Sequence, residues 1–158
     1  KRQVLMQLLK FKSNYPEDYL NLGITYYRLG NLSDAEINLR QAINYKPDFV
    51  QAYNDLGLTL KKIGKLTDAE ASFRKAIALD PQFTSARNNL GVTLQNLGKL
   101  RQAEALFREL ILINSEIPEF HNNLGLTLYD LGKFKDSEES FKKAIILNSY
   151  FDSAYNNL

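Results

Sequence analysis

The 158-residue chain contains no cysteine. Disulfides and thiolate metal sites are therefore excluded. It has one histidine, His121, so no zinc-type cluster of His and Cys can be assembled. Charge of one sign is also scarce. Twenty basic residues stand against 18 acidic ones, a net charge of +2, and no nucleic-acid or acidic partner follows from that balance. No apolar run approaches the roughly 20 residues that span a bilayer, and no secretory pattern opens the sequence. The chain runs from Lys1 to Leu158 and stops in mid-pattern, so both ends read as fragment boundaries and cytoplasm is only a default expectation. Hydrophobic residues at 44% and charged residues at 24% describe a globular chain.

Glycine is sparse too, at eight residues, and its placement organises everything else. Gly23, Gly57, Gly91 and Gly125 recur every 34 residues, as do Gly30, Gly64, Gly98 and Gly132. None is left over for a phosphate-cradling loop. With residue 16 as the first position, four repeats follow: 16–49, 50–83, 84–117 and 118–151. Residues 1–15 match the second helix of a preceding repeat through Leu5, Leu8, Leu9 and Phe11. Residues 152–158 begin a fifth, with Tyr155 and Leu158 in phase.

Each repeat reads as two helices. Leu22, Leu56, Leu90 and Leu124, with Tyr26, Leu60, Leu94 and Leu128 four residues later, lay an apolar stripe along the first helix. The glycine following each leucine lets a neighbouring helix approach. The second glycine suits a left-handed C-terminal cap. In the second helix, small residues (Ala35, Ala69, Ala103, Ser137) alternate with large ones (Leu39, Phe73, Phe107, Phe141), as interlocking helices require. Ser33 with Glu36 and Thr67 with Glu70 read as capping boxes that start this helix. Arg101 and Lys135 in the equivalent positions predict weaker starts. Pro47 and Pro81 predict its end. Glu36–Arg40, Glu70–Arg74, Glu104–Arg108 and Glu138–Lys142 are spaced for intrahelical ion pairs on a solvated face, worth about 0.2–0.5 kcal/mol each. Lys65, Lys99 and Lys133 read as solvated turn residues.

This pattern resembles the tetratricopeptide repeat over the whole chain. The resemblance implies an all-α fold, a right-handed superhelical solenoid of antiparallel helix pairs forming a single domain over residues 1–158. First helices would line the concave face and second helices the convex one, and stability would come from neighbour-to-neighbour packing. The family's aromatic position holds Tyr19, Tyr53 and Tyr155 but Arg87 and His121 in the third and fourth repeats.

The resemblance also implies that certain first-helix positions face the groove. The sixth is Asn21, Asp55, Asn89, Asn123 and Asn157, and the fifth is Leu20, Asn54, Asn88, Asn122 and Asn156. Asparagine is a mediocre helix former, yet its amide both donates and accepts, so stacked amides can hold an extended main chain whatever its sequence. Asparagines at the matching position hold peptide backbone in the O-GlcNAc transferase type of repeat, which this groove resembles. The competing reading is structural: the same amides could support helix packing or pair with each other across repeats. Asp55 breaks the row. A carboxylate only accepts, so it favours an N–H or a basic side chain opposite the second repeat. Tyr27, Lys61, Gln95 and Tyr129 vary at the twelfth position, where side-chain specificity would reside. Ile24, Leu58, Val92 and Leu126 form an apolar row. A carboxylate-terminus receptor is disfavoured, because the matching positions (Leu20, Ile24, Asp55, Ser85, Asn89) lack its basic residues.

His121 occupies the repeat's aromatic position and reads as a packing residue. No Ser–His–Asp arrangement is suggested. The expected function is therefore a non-catalytic scaffold that binds a protein or peptide, with no cofactor, no metal, no nucleic acid and no membrane partner. Two readings compete with it: the substrate-recruiting arm of a larger enzyme such as a glycosyltransferase, and end-to-end self-association through open repeat ends.

Overall fold

The structure is a computed structural model and describes residues 15–148 and 152–157. The half-repeat expected before residue 15 and the expected packing of Tyr155 and Leu158 lie outside what is described. Nine α-helices and no strand are present among the described residues. They are α1 Pro16–Arg28, α2 Leu32–Tyr45, α3 Val50–Ile63, α4 Leu66–Leu79, α5 Thr84–Asn96, α6 Leu100–Ile113, α7 Pro118–Asp130, α8 Phe134–Leu147 and α9 Asp152–Asn157. The fold is all-α, a repeat of antiparallel helix pairs in the 34-residue register. The chain divides into two compact halves, one ending at Phe83 and one beginning at Thr84.

The glycine expectations hold in atomic detail. A Cβ on Gly57 would lie 2.6 Å from Phe73 Cε1, and one on Gly91 would lie 2.5 Å from Phe107 Cζ. The large residue of the second helix thus seats on the bare backbone of the first. The second glycine terminates the first helix. Gly64 has φ +93°, its N–H donates to the Lys61 carbonyl at 3.0 Å, and Lys65 N–H reaches back to the Leu60 carbonyl at 2.9 Å. That paired closure is a Schellman cap.

Small and large residues interlock as the pattern requires. Ala35, Ala69, Ala103, Leu39, Phe73, Phe107, Ala42, Ala76 and Leu110 are wholly buried. In the fourth repeat Ser137 stands in the alanine position, and its hydroxyl donates to the Gly125 carbonyl at 2.7 Å. A buried hydroxyl would otherwise cost free energy. The α2 and α4 helices end at Tyr45 and Leu79, before Pro47 and Pro81.

The capping boxes are not formed. The second helices begin at Leu32, Leu66, Leu100 and Phe134, with Asn31, Lys65, Lys99 and Lys133 at the N-cap. Ser33 and Thr67 already lie inside the first turn. Of these four residues Asn31 alone caps with its side chain, accepting from Asp34 N–H at 3.5 Å. The first repeat therefore has a side-chain cap that the other three lack. Glu36 is drawn elsewhere: Arg40 donates to it at 2.8 Å and Lys65 at 3.0 Å. Lys65 and Lys133 are accordingly not simply solvated. Lys133 meets Glu104 at 2.8 Å while Arg108 takes the same carboxylate at 3.0 Å. In both halves one glutamate ties its own helix to the turn before the next second helix. The expected pairs Arg74–Glu70, at 2.9 Å, and Lys142–Glu138 are also present.

Candidate functional site

Within each half, consecutive first helices approach one another: α1 with α3, α5 with α7 and α7 with α9. The second helices α2 and α4, or α6 and α8, make no comparable approach. Each half therefore curves with its first helices on the inner side. That is the side on which the predicted groove residues were expected.

The two halves present different chemistry there. In the second half, Asn123 Nδ2 donates to Asn88 Oδ1 at 3.1 Å, and Asn157 Nδ2 donates to Asn122 Oδ1 at 3.0 Å. Both of these sixth-position amides are thus fastened to the fifth-position amide of the preceding repeat. The Asn122 side chain is buried and that of Asn123 half-buried. One side-chain N–H of Asn123 is used and, among the described residues, its side-chain oxygen is not. Asn54 is buried, and neither Asn54 nor Asn89 is without a partner. The amide rows are therefore partly engaged within the protein, and Asn123 keeps its amide oxygen and second N–H unclaimed among the described residues.

The first half breaks the row. Leu20 is buried at the fifth position, and Asn21 is exposed at the sixth. Asp55 instead accepts from Gln51 Nε2 at 3.0 Å on both oxygens and from Asn54 Nδ2 at 3.2 Å. It lines a pocket of about 250 Å³ with Ile24, Tyr27, Arg28, Leu58 and Gln51. Burial pushes its carboxyl above the usual range, opposed by the hydrogen bonds from Gln51 and Asn54 and by the field of Arg28.

The residues at the twelfth position and beside it fall into distinct environments. Lys62 Nζ lies 4.7 Å from the centroid of the Tyr27 ring, a cation–π contact. Lys61 is half-buried, and desolvation lowers its pKa. Gln95 Nε2 donates to the Asn123 carbonyl at 3.1 Å and to Thr127 Oγ1 at 2.7 Å, so its amide docks on the next first helix. Tyr129 is 58% exposed and meets Phe134 edge-on at 5.4 Å. His121 is buried, and its Nε2 donates to the Ser115 carbonyl at 2.9 Å.

One recurrent feature escaped the sequence reading. Thr25, Thr59, Thr93 and Thr127 each donate a hydroxyl to the main-chain carbonyl four residues earlier, at 2.7–2.8 Å. Those acceptors are Asn21, Asp55, Asn89 and Asn123, the whole sixth-position row of the four full repeats. Such back-bonding bends helices, so the threonines shape the backbone that carries the row. Their spacing of 34 was visible in the sequence. Gln51 and Thr59, which help build the Asp55 pocket, were likewise missed.

Helical hairpins of one length, locked by glycine and laid side by side within each half with their first helices on a common face, define a repeat scaffold for protein interaction. Tetratricopeptide repeat models match residues 20–83, 62–126 and 118–151. The chain belongs to the tetratricopeptide repeat family. No curated protein matches it. Among solved structures, MamA is similar with a TM-score of 0.85 and 25% identity, over 93% of this chain and 86% of that one. PilF of Pseudomonas aeruginosa is similar with a TM-score of 0.81 and 26% identity, over 90% of this chain and 65% of its own. A thermophilic TPR protein of Thermus thermophilus shares the fold with a TM-score of 0.78 at 18% identity, over 98% of this chain and 86% of that one. Among the described residues no helix is long and apolar enough to cross a membrane.

Proposed function

We propose that the inner faces of the two halves hold extended polypeptide, with main-chain groups of the ligand meeting the sixth-position asparagines and side chains meeting the varied twelfth-position residues. In this reading the chain does no chemistry itself. The single observation that supports it best is the half-used amide of Asn123. Its bond to Asn88 occupies one N–H and fixes the side chain, while its amide oxygen and second N–H stay available to a foreign main chain. An amide held in place loses less side-chain entropy on binding than a mobile one.

Magnitudes limit the role of the row. Four or five amides at about 1 kcal/mol net each sum to about 4–5 kcal/mol. Micromolar binding needs about 8 kcal/mol. Side-chain contacts at Tyr27, Lys61 and Tyr129 and in the Asp55 pocket have to supply the rest. Arrays of end-capped peptides probed with wild type and with the Asn89→Ala/Asn123→Ala double variant test the reading. The double variant should bind every peptide sequence about thirtyfold more weakly, the loss of two contacts at about 1 kcal/mol each, since main-chain recognition ignores side chains. Equal binding by both proteins rejects the amide row as a ligand site.

A further inference from the structure

The pocket in the first half differs from the rest of the inner face, and it has the features of a side-chain subsite. Its volume of about 250 Å³ is below the roughly 300–1,000 Å³ of small-molecule sites but adequate for one long side chain. Its walls are chemically divided. Ile24 and Leu58 give an aliphatic side, Tyr27 an aromatic one, and Asp55 the one carboxylate. Three hydrogen bonds from Gln51 and Asn54 hold that carboxylate in place. A carboxylate has about four lone-pair sites, so acceptor capacity remains. Arg28 stands in the same wall and its field reaches Asp55, but the three hydrogen bonds that hold the carboxylate come from neutral amides. The pocket thus holds a partly desolvated negative charge that is hydrogen-bonded by amides and only influenced at a distance by Arg28.

Two ligand groups can satisfy an acceptor: a main-chain N–H or a cationic side chain. The walls decide between them. A main-chain amide brings no aliphatic length to cover Ile24 and Leu58, whereas the stem of lysine or arginine does so while carrying its charge to the end. We infer that the pocket between α1 and α3 takes one lysine or arginine side chain of the bound polypeptide, its stem on Ile24, Leu58 and Tyr27 and its charge on Asp55. This rests on the polypeptide-binding reading and adds a site of sequence selection to it. Arg28 opposes the incoming cation, so it limits affinity and favours ligands with an acidic residue beside the basic one.

The test uses acetylated and amidated hexapeptide libraries with one position fixed as Lys, Arg, norleucine or Glu, the others randomised, and fluorescence polarisation as readout. Wild type should favour Lys and Arg over norleucine at one position by about tenfold. Asp55→Asn keeps an acceptor for Gln51 and the shape of the pocket, and should bring the Lys and Arg libraries down to the norleucine level. Arg28→Ala removes an exposed side chain and should tighten the Lys and Arg libraries severalfold, the scale of a screened surface charge. A wild type that binds all four libraries equally, or an Asp55→Asn variant that keeps the cation preference, overturns the subsite and leaves main-chain binding standing. Equal weakening of all four libraries in Asn89→Ala/Asn123→Ala, with the Asp55→Asn variant still binding norleucine peptides as wild type does, separates the two contributions. No binding of any library to wild type overturns both readings.

Discussion

The ring of Phe107 fills the space a side chain on Gly91 would need: a Cβ there would lie 2.5 Å from Cζ. The helix interior would otherwise gain about 1 kcal/mol from alanine in place of glycine, so this glycine is kept by its neighbour and not by backbone conformation. Gly91→Ala should destabilise by about 1–3 kcal/mol, the range for overpacked cores, as read from urea unfolding. Gly98 is the opposite case. Its φ is +70° and nothing lies within 4 Å of its built Cβ. Gly98→Ala should cost about 1–2 kcal/mol from left-handed backbone alone, and Gly98→Asn should cost less. If Gly91→Ala leaves stability unchanged or raises it, as alanine does in a helix interior with no close neighbour, the close-approach account of Gly91 is wrong.

Those two glycine roles were legible because both are written in a period of 34 and depend only on helix geometry. The same holds for the interlocked Ala103, Phe107 and Leu110 and for the ion pair Arg108–Glu104. What was not legible depends on where neighbouring elements end up. Ser33-x-x-Glu36 satisfies the local rule for a helix start, but the Schellman turns after the first helices leave a single residue before the next helix. That places Asn31 and Lys65 at the caps and Ser33 and Thr67 inside. Glu36 then finds Lys65, 29 residues away. The Asn123–Asn88 bond spans 35 residues, and sequence could name both partners without deciding whether they meet each other or a ligand. Gln51 reaches Asp55 along one helical turn, a pairing the i,i+4 rule allows, but the rule does not say that Tyr27 and Ile24 of the preceding first helix close a pocket over it.

Asn123 and Asn88 should show measurable coupling. A neutral hydrogen bond contributes about 0.5–1.5 kcal/mol net, so a double-mutant cycle with Asn123→Ala and Asn88→Ala should return an interaction energy in that range. The combined variant should be less harmful than the sum of the two, because removing both partners leaves no orphaned amide. Strict additivity in urea melts would mean that the bond contributes nothing to stability, and the row would then have no structural role at this position.

The glutamates shared by two cations give a signed pH dependence. Lys133 and Arg108 lower the Glu104 carboxyl below its usual 4.5. Burial raises that of Glu36, but Arg40 and Lys65 outweigh it and the net direction is down. A depressed folded pKa contributes stability that is present above the unfolded value and lost as pH falls through the folded one. Glu36→Gln and Glu104→Gln should therefore lie below wild type in thermal midpoint at pH 7 and converge with it at acid pH, below the folded pKa values. Each pair is partly exposed, so the gap should be about 1 kcal/mol or less and shrink in high salt. A gap that persists unchanged into acid would assign the loss to packing and not to charge.

Asp55 has the reverse sign. Burial is the largest influence on its carboxyl and raises it, against the hydrogen bonds of Gln51 and Asn54 and the field of Arg28. A folded pKa above the unfolded one means that the folded state binds the proton more tightly. The stabilisation is then full below about 3.8, the ordinary aspartate value, and is lost as pH rises through the folded pKa. At neutral pH the fold therefore holds the ionised carboxyl less favourably than it would hold the protonated one, a penalty that a neutral amide of the same shape does not carry. Asp55→Asn should raise the thermal midpoint relative to wild type at pH 7.5, and that advantage should shrink or vanish at pH 3.5. A cation seated on the ionised carboxylate offsets that penalty, so adding a lysine-fixed peptide library should raise the wild-type midpoint more than that of Asp55→Asn. If the variant is less stable than wild type at pH 7.5, the carboxylate is serving the architecture, and its hydrogen bonds with Gln51 and Asn54 are its reason for being there.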